Sequence, residues 1–247
     1  MRAAITFDFH NTLIHCDPWF DLEVAGLPGQ VAKELAASGV IAWHSVPTQE
    51  LTDTYRALRA EIIAHGNEMD AVSGVMETFR RLGLGADQSA VTEIVDHKFR
   101  ELVVVSAVLP GVRHTLDHLH GLGIPIGVVS SAVHHDFLEW TLAFHGLRAY
   151  LTDVVTSASS GFYKSRPEIY YTACDRLGVA PASTIHVGDS FRFDHLGGMA
   201  AGLRTIWIND TGSNKHPTAP TPALELRSLV DAGPQIHALL LASRHAD

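Results

Sequence analysis

Short runs of apolar residues recur along the chain, and each run ends at polar residues. Runs of roughly four to eight apolar residues bounded in this way are typical of strands buried on both faces of a sheet. Between them, apolar residues follow the helical period, which predicts helices that end at Gly121 and Gly178. Strands that alternate with helices predict an α/β fold with a parallel sheet covered on both faces. The predicted strands are residues 3–7, 124–129, 184–187 and 205–208.

The stretch from residue 17 to residue 108 breaks this alternation, because its apolar residues follow the helical period throughout. Breaker residues mark both of its ends, at Asp17-Pro18 and at Leu109-Pro110-Gly111. We therefore predict an all-helical domain, residues 17–108, inserted into a core domain made of residues 1–16 and 109–247. The remaining expected segments are a surface loop, residues 210–222, and a closing helix, residues 223–242.

Composition restricts the class of protein. A chain of 247 residues with 46% hydrophobic and 18% charged residues can bury a full core, which indicates a globular protein. The formal net charge is -9 and no long run of Lys and Arg is present, so nucleic acid is not the expected partner. No segment approaches the roughly 20 apolar residues that a membrane span requires. We expect a small molecule as the partner.

Cysteine usage and the first residues indicate the compartment. Cys16 and Cys174 match no metal-binding or redox spacing, which fits a reducing environment. Asp8 arrives before the apolar stretch of a signal peptide could form, so a soluble, cytoplasmic protein is expected. The histidines show no consistent ligand spacing, and we expect them to be solvated surface residues. The most conspicuous are His114, His118, His120, His134 and His135.

Polar residues that suit phosphoryl transfer follow the predicted strands, at the sheet edge where α/β proteins bind ligands. Asp8 offers a carboxylate for attack on phosphorus, although a lone strand-end aspartate is as often a helix N-cap. Ser130 and Ser131 offer hydroxyl and backbone N–H groups for phosphate oxygens, or they cap an ordinary helix. Lys164 offers a positive charge to the transition state, although a solitary lysine is usually a solvated surface residue.

Carboxylates that suit a metal ion follow another predicted strand. Gly188-Asp189 and the nearby Asp194 supply the hard oxygen ligands that Mg²⁺ prefers. Bound Mg²⁺ would offset the repulsion between an anionic nucleophile and an anionic substrate. A Gly-Asp pair alone is also a common turn. The order of the polar groups along the chain therefore carries more information than any one of them.

Four motifs in this order resemble those of the haloacid dehalogenase superfamily, and the resemblance covers nearly all of the chain. The first motif of that family normally reads Asp-x-Asp-x-Thr, and here His10 replaces the second aspartate. The third motif has Ser165 where proline is usual. The motifs are Phe7-Asp8-Phe9-His10-Asn11-Thr12-Leu13, Gly127-Val128-Val129-Ser130-Ser131, Gly161-Phe162-Tyr163-Lys164-Ser165-Arg166-Pro167-Glu168-Ile169-Tyr170, and His186-Val187-Gly188-Asp189-Ser190-Phe191-Arg192-Phe193-Asp194 followed by Gly197-Gly198-Met199-Ala200-Ala201-Gly202.

The resemblance implies a Rossmann-like three-layer core with a helical cap between the first and second motifs. It implies that Asp8 is a nucleophile that forms an aspartyl-phosphate, and that Ser130, Ser131 and Lys164 bind phosphate. The implied function is Mg²⁺-dependent hydrolysis of a small phosphorylated metabolite. The implied Mg²⁺ ligands are Asp8, the main-chain carbonyl of His10, Asp189, and Asp194 directly or through water.

His10 stands where the phosphatases of this family have an aspartate that protonates the leaving group and then activates water. An imidazole with a pKa of about 6.5 can donate and accept protons near neutral pH, so we predict that His10 is the acid/base of a phosphatase. A second interpretation is a 2-haloacid dehalogenase or phosphonoacetaldehyde hydrolase, which lack this aspartate. Phe162-Tyr163-Lys164 is reminiscent of the third dehalogenase motif, but a dehalogenase has no use for Asp189 as a metal ligand. A third is a non-catalytic binding module.

The helical insertion carries no readable motif, so the sequence does not identify the substrate. Trp19, Phe20, Asp21 and Trp43 are candidates for the entrance of a cavity, although aromatic residues in helical modules more often belong to the core. The closeness of His134 and His135 to the second motif makes them candidates for contact with a leaving group. Nothing in the sequence predicts the oligomeric state.

Overall fold

The computed structural model describes residues 3–39, 47–212 and 218–243. The strands within these residues are β1 (Ala4–Phe7), β2 (Ile14–His15), β3 (Ala107–Val108), β4 (Ile126–Ser130), β5 (Asp153–Thr156), β6 (Thr184–Gly188), β7 (Arg204–Ile208) and β8 (Leu224–Leu226). The α-helices are α1 (Asp17–Asp21), α2 (Leu27–Ala37), α3 (Thr48–His65), α4 (Ala71–Arg81), α5 (Gln88–Val103), α6 (Val112–Gly121), α7 (His135–Phe144), α8 (Ser157–Ser160), α9 (Glu168–Leu177), α10 (Gly197–Ala200) and α11 (Ala232–Ser243). Shorter segments are the π-helices Leu22–Gly26 and Phe191–Leu196 and the 3₁₀ turns Arg148–Tyr150 and Pro181–Ser183.

One parallel sheet of six strands, in the order β5-β4-β1-β6-β7-β8, forms the centre of the fold. The two short strands β2 and β3 pair antiparallel beside it. In the sheet, Phe7 is in register with Val128 of β4 and with Val187 of β6. The carboxyl ends of β1, β4 and β6 are therefore neighbours at one edge of the sheet.

Both faces of the sheet are buried. Val128 and Val154 belong to one apolar cluster, whereas their neighbours Val129 and Val155 belong to a second cluster together with Tyr170 of α9. This alternation follows from the two-residue period of a strand, in which successive side chains point to opposite faces. The predicted α/β fold with a parallel sheet is confirmed.

The structure corrects the predicted elements in three places. Residues 107–108, the end of the predicted all-helical stretch 17–108, form strand β3. The sequence pattern did not indicate β5, whose four residues contain only two valines between polar ends. It also extended the closing helix too far, because the first residues of the predicted helix form the edge strand β8, which pairs with β7. Part of the predicted loop 210–222, residues 213–217, lies outside the described residues.

Helices α1 to α5 lie between β2 and β3 and form a helical layer that packs directly on the core. Phe99 of α5 contacts Phe137 of α7 with ring centroids 5.5 Å apart, and the Arg100 guanidinium lies 3.7 Å from the centre of the Trp140 ring. His134 Nε2 and Asp96 Oδ1 are 2.9 Å apart across the same contact. That residues 17–108 form a separate domain stays a prediction.

Backbone hydrogen bonds also connect the helical layer to the core. The N–H of Glu68 donates to the carbonyl of Gly161 at 2.8 Å, and the N–H of Tyr163 donates to the carbonyl of Gly66 at 2.9 Å. Gly66 has φ of +75°, and a Cβ at this position would lie 2.2 Å from Cγ of Arg166. Only glycine fits this position without strain. The segment around Gly66 is thus attached to the loop that carries the third motif.

The histidines are less uniformly solvated than the sequence suggested. His114 and His120 are exposed as expected, but His134 is buried, which corrects that expectation. His186 and His195 are fully buried as well. Each of these three buried imidazoles has hydrogen-bond partners, as buried polar groups require. None of the described helices is both long enough and apolar enough to cross a membrane.

Candidate active site

The strand ends bring the predicted polar residues together. Asp8 directly follows β1, and its N–H donates to the carbonyl of Val187 at 2.8 Å. Ser130 is the last residue of β4, and Asp189 directly follows β6. Lys164 differs from the expected pattern, because it follows helix α8 and a loop rather than a strand. Its side chain nevertheless reaches Asp8.

Lys164 connects two carboxylates in the interior. Its side chain is only 3% exposed, and its ammonium group donates to Asp8 Oδ1 and, at 2.6 Å, to Asp194 Oδ1. Burial lowers the pKa of Lys164, but Asp194 and Asp8 more than reverse this effect and hold the pKa above its ordinary value. Lys164 therefore stays a cation and fixes the position of one Asp8 oxygen.

Asp194 is held on both of its oxygens. Oδ2 accepts the N–H of Ser190 at 2.8 Å, and Oδ1 accepts from Lys164 and, at 3.0 Å, from His186 Nε2. Burial acts to raise the pKa of Asp194, but Lys164 and His186 outweigh it and hold that pKa far below its usual range. Gly188 makes this packing possible, because a Cβ there would lie 2.3 Å from Cγ of Asp194.

His186 is a residue of the site that the sequence interpretation missed. Its side chain is fully buried in the centre of the sheet, and its Nδ1 is 2.9 Å from the hydroxyl of Thr6. Burial lowers the pKa of His186, so the ring is neutral. Since the Asp194 carboxylate can only accept, Nε2 donates to it and Nδ1 accepts from Thr6. A polar residue within an otherwise apolar strand was the available signal.

The carboxylates of Asp8, Asp189 and Asp194 have oxygens that all lie within 4.8 Å of one another. Burial, followed by the neighbouring carboxylates, raises the pKa of Asp189 to about 6. Burial also raises the pKa of Asp8, and Lys164 reverses this only in part. Three hard oxygen donors beside a single ammonium leave an excess of negative charge, so this donor set fits a divalent cation such as Mg²⁺. Because both Asp194 oxygens have protein donors, Asp8 and Asp189 are the carboxylates best placed to bind a metal directly.

The two predicted serines differ in their surroundings. Ser130 is buried at the end of β4 and lines the same cavity as Asp8. Ser131 Oγ accepts the backbone N–H of Lys164 at 3.2 Å. This bond ties the loop of the third motif to the loop after β4. Ser131 therefore helps to position the backbone of Lys164.

His10 lines the same cavity as the carboxylates and packs against aromatic rings. Its ring centroid is 4.8 Å from that of Trp19 and 5.9 Å from that of His15. Its Nε2 atom is buried and has no hydrogen-bond partner in the described part of the chain. Burial and then the neighbouring His15 lower the pKa of His10. The ring is therefore neutral near pH 7, with a nitrogen free for proton transfer.

A cavity of about 730 Å³ joins this cluster to the helical layer. Trp19, Phe20 and Asp21, which the sequence suggested for an entrance, line the cavity, whereas Trp43 lies outside the described residues. Of the two histidines that follow the second motif, His134 instead bonds Asp96, away from this cavity. Lining residues of the helical layer that the sequence did not indicate are Glu23, Val24, Arg59 and Ile63.

The helical layer contributes buried ionisable side chains to the lining of the cavity. Arg59 and Glu68 form a double hydrogen bond, with Nη1 to Oε1 at 2.5 Å and Nη2 to Oε2 at 3.1 Å. Glu23 is 7% exposed. Burial raises the pKa of Glu23 from 4.5 to about 8, and the attraction of Arg59 opposes this only in part. Near neutral pH, Glu23 is therefore a neutral acid.

Glu23→Gln is expected to remove a pH-dependent loss of stability. The pKa of Glu23 in the folded protein exceeds its unfolded value, so its contribution is fully present below about pH 4.5 and is lost as the pH rises through about 8. Glutamine resembles the neutral acid, so the variant should match the wild type near pH 4.5. At pH 9 its free energy of unfolding should be higher by about 1–4 kcal/mol.

Chemical denaturation at the two pH values measures this difference. Glu50→Gln, at an exposed position of α3, is the matched control and should show no such dependence. Equal stabilities of the Glu23→Gln variant and the wild type at pH 9 would show that Glu23 is ionised there without cost.

A buried lysine lies between two carboxylates at the carboxyl edge of a parallel sheet, which is where α/β proteins bind their ligands. A model of the haloacid dehalogenase-like hydrolases matches residues 3–202, and the chain belongs to this family. Mouse haloacid dehalogenase-like hydrolase domain-containing protein 3 is 29% identical over 187 residues, which cover 72% of this chain and 73% of that protein. A glyceraldehyde 3-phosphate phosphatase of Methanothermobacter thermautotrophicus is 26% identical over 213 residues, or 85% of this chain and 86% of that protein.

A solved structure is similar in fold. The 2-haloacid dehalogenase from Pseudomonas syringae pv. Tomato DC3000 superposes with a TM-score of 0.69 and 22% sequence identity. The match covers 96% of this chain and 99% of that one. This likeness extends through the helical layer as well as the sheet, so the two chains share their architecture.

Proposed function

We propose that the protein is a Mg²⁺-dependent phosphoric monoester hydrolase that acts on a small phosphorylated metabolite through an aspartyl-phosphate on Asp8. The observation that carries the proposal is the shared lysine. Lys164 binds Oδ1 of Asp8, whereas no donor to Oδ2 is found among the described residues, and Asp8 lines the cavity. One oxygen is thus held in place, and the other is left to attack phosphorus.

In the first step, the Asp8 oxygen forms a bond to phosphorus while the bond from phosphorus to the leaving oxygen breaks. The protonated form of His10, which is the minor form near pH 7, delivers a proton to that oxygen, and the alcohol departs. In the second step, water attacks the aspartyl-phosphate, His10 accepts its proton, and inorganic phosphate and the free Asp8 carboxylate are released. Lys164 offsets negative charge in both steps, and Ser130 is placed to bind a phosphate oxygen.

Asp8 and Asp189, with the main-chain carbonyl of His10, would hold Mg²⁺, and Asp194 would support the site through Lys164. When bound, Mg²⁺ supplies positive charge that favours the ionised nucleophile and the anionic substrate. The raised pKa of Asp8 fits this dependence, because burial and neighbouring carboxylates disfavour its ionised form in the protein alone. The relative named as a glyceraldehyde 3-phosphate phosphatase supports a phosphate ester as substrate.

Hydrolysis of 4-nitrophenyl phosphate is expected to require Mg²⁺, to stop with EDTA and to return with excess Mg²⁺. Asp189→Asn should raise the Mg²⁺ concentration for half-maximal rate by at least about tenfold, because it removes a charged ligand. Asp210→Asn, an exposed aspartate nearby, should leave that concentration nearly unchanged. A colorimetric assay with varied Mg²⁺ measures both.

Halide release distinguishes the dehalogenase alternative. A dehalogenase would release chloride from 2-chloropropionate with EDTA present, because its nucleophile attacks carbon and needs no metal. We expect no chloride release. Chloride release without Mg²⁺, together with no hydrolysis of phosphate esters, would overturn the proposed function. A well-folded protein inactive on both substrate types would favour the non-catalytic alternative.

A further inference from the structure

A pair of polar side chains lies in the centre of the parallel sheet. Thr6 of β1 and His186 of β6 are partners in the strand register, and both side chains are fully buried. The Thr6 hydroxyl and His186 Nδ1 are 2.9 Å apart. The ring of Tyr170 packs edge-on against the imidazole, with ring centroids 5.1 Å apart. The pair therefore lies on the face of the sheet that α9 covers.

Hydrogen bonds connect this pair to the proposed nucleophile in a closed ring. The Thr6 hydroxyl donates to Nδ1 of His186, and Nε2 of His186 donates to Asp194 Oδ1 at 3.0 Å. The Lys164 ammonium group donates to the same Asp194 oxygen at 2.6 Å and to Asp8 Oδ1. Asp8 follows Thr6 by two residues, so the ring begins and ends on the same stretch of backbone. Each side chain between these two residues is thus held from both sides.

Stability alone does not require a polar pair at this place. When both partners of a buried hydrogen bond are replaced by apolar groups of similar shape, the change in stability is often close to zero. Apolar side chains at positions 6 and 186 would not, however, supply a donor to Asp194 Oδ1. Lys164 would then be the remaining donor to that oxygen, and the two side chains would be able to shift together, away from Asp8.

We propose that His186 and Thr6 are positioning residues that hold Lys164 at the nucleophile through Asp194. Neither is among the described residues that line the cavity, so both act on the reaction through their neighbours. The imidazole belongs to a central strand and is fixed by Thr6, so it keeps Asp194 from turning when Lys164 moves. This inference rests on the proposed function, in which Lys164 must stay beside Asp8 while charge develops on the phosphoryl group.

Two amides at position 186 test the donor to Asp194. Glutamine can place its amide nitrogen near the position of the imidazole Nε2, whereas asparagine is too short to reach Asp194. With 4-nitrophenyl phosphate and saturating Mg²⁺, His186→Asn should lower kcat by about 10- to 100-fold, because small misplacements of a catalytic group have effects of this size. His186→Gln should keep kcat within about fivefold of the wild type, and KM should change by less than about threefold in both variants. Equal losses of kcat in the two variants would overturn the proposal.

The double variant Thr6→Val with His186→Leu separates positioning from packing. Its melting temperature should stay within about 4 °C of the wild type, since both partners are replaced together, while kcat falls by at least about tenfold. Thr184→Val is the control, at a buried threonine of β6 whose hydroxyl donates to the carbonyl of Ala180 at 3.0 Å. It should leave kcat within about twofold of the wild type. Wild-type kcat in the double variant, or a loss of kcat that accompanies gross destabilisation, would overturn the positioning role.

Two measurements without substrate separate this proposal from the proposed function. Nitrogen NMR of protein with isotope-labelled histidine should show His186 protonated at Nε2 and not at Nδ1, with the signal assigned by its loss in His186→Gln. A crystal structure of the double variant should show Lys164 displaced from Asp8. Protonation at Nδ1, or an unmoved Lys164, would overturn the positioning role. If both results are as expected but the wild type hydrolyses no phosphate ester, the proposed function alone is overturned.

Discussion

Asp8→Asn is expected to lower the turnover of every phosphate ester by at least about 10⁴-fold, the scale of losses when a covalent nucleophile is removed. The amide keeps the shape of the side chain and can still accept from Lys164, so the fold and the cavity are retained. It lacks the negative charge for attack on phosphorus. Steady-state turnover of 4-nitrophenyl phosphate with saturating Mg²⁺ measures the loss, and thermal unfolding checks that the variant is folded.

Asp17→Asn is the matched control for this result, because the same chemical change is made at an exposed residue of the same cavity. Its turnover should stay within about threefold of the wild type. Mass spectrometry of acid-quenched protein should also detect a phosphorylated peptide containing Asp8 in the wild type and not in Asp8→Asn. Substantial turnover by Asp8→Asn would show that water attacks phosphorus directly.

His10→Ala is expected to lower the turnover of alkyl phosphates by on the order of 10²- to 10⁴-fold, the usual range for a positioned acid/base. The unpartnered Nε2 atom of His10, a residue that lines the same cavity as the carboxylates, is the group that would transfer the proton. Aryl phosphates should lose less, because their leaving groups depart as stable anions. Comparison of glycerol 1-phosphate with 4-nitrophenyl phosphate measures the difference.

The pH profile tests the same role by a second route. Burial and His15 lower the pKa of His10, so the acidic limb of the profile should lie below pH 6.5 if the neutral imidazole activates water. His15→Gln removes the second cause and should move this limb to higher pH. His10→Asp should retain or raise activity and move the limb lower still, because a carboxyl group titrates nearer 4.

A neutral outcome for His10→Ala on alkyl and aryl esters alike would exclude proton transfer by this side chain. Only the main-chain carbonyl at position 10 would then contribute, as a metal ligand. An acidic limb that is unchanged in both His10→Asp and His15→Gln would lead to the same conclusion. The lowered turnover of Asp8→Asn would be unaffected by either result.

The sequence predicted the elements whose apolar pattern is long, or whose ends carry breaker or polar residues. The four predicted strands and the helical insertion have such signals. Strand β5 has two valines, and β8 is only Leu-Glu-Leu, so the apolar pattern of each is too short to predict a strand. Each of these strands forms because a neighbouring strand supplies its backbone hydrogen-bond partners. That pairing depends on the tertiary structure, so the local sequence does not show it.

The sequence indicated the polar residues of the site but not their partners. Asp8, Lys164 and Asp189 follow from motif order. The bonds of His186 to Asp194 and Thr6 join residues that are far apart along the chain or hidden inside strands, so no local spacing reveals them. Glu23 was equally hidden, because a glutamate in a helical segment normally indicates a solvated face.

The attachment of the Gly66 segment to the third-motif loop restricts how this family member can change by recombination. The tight fit of Gly66 against Arg166 and the backbone bonds to Gly161 and Tyr163 make each segment a template for the other. A helical insertion transplanted from a relative would replace the Gly66 segment but not the third-motif loop that it contacts. We expect such a mismatch to shift this loop and the Lys164 that it carries. We therefore expect a functional chimera to require that both segments be exchanged together.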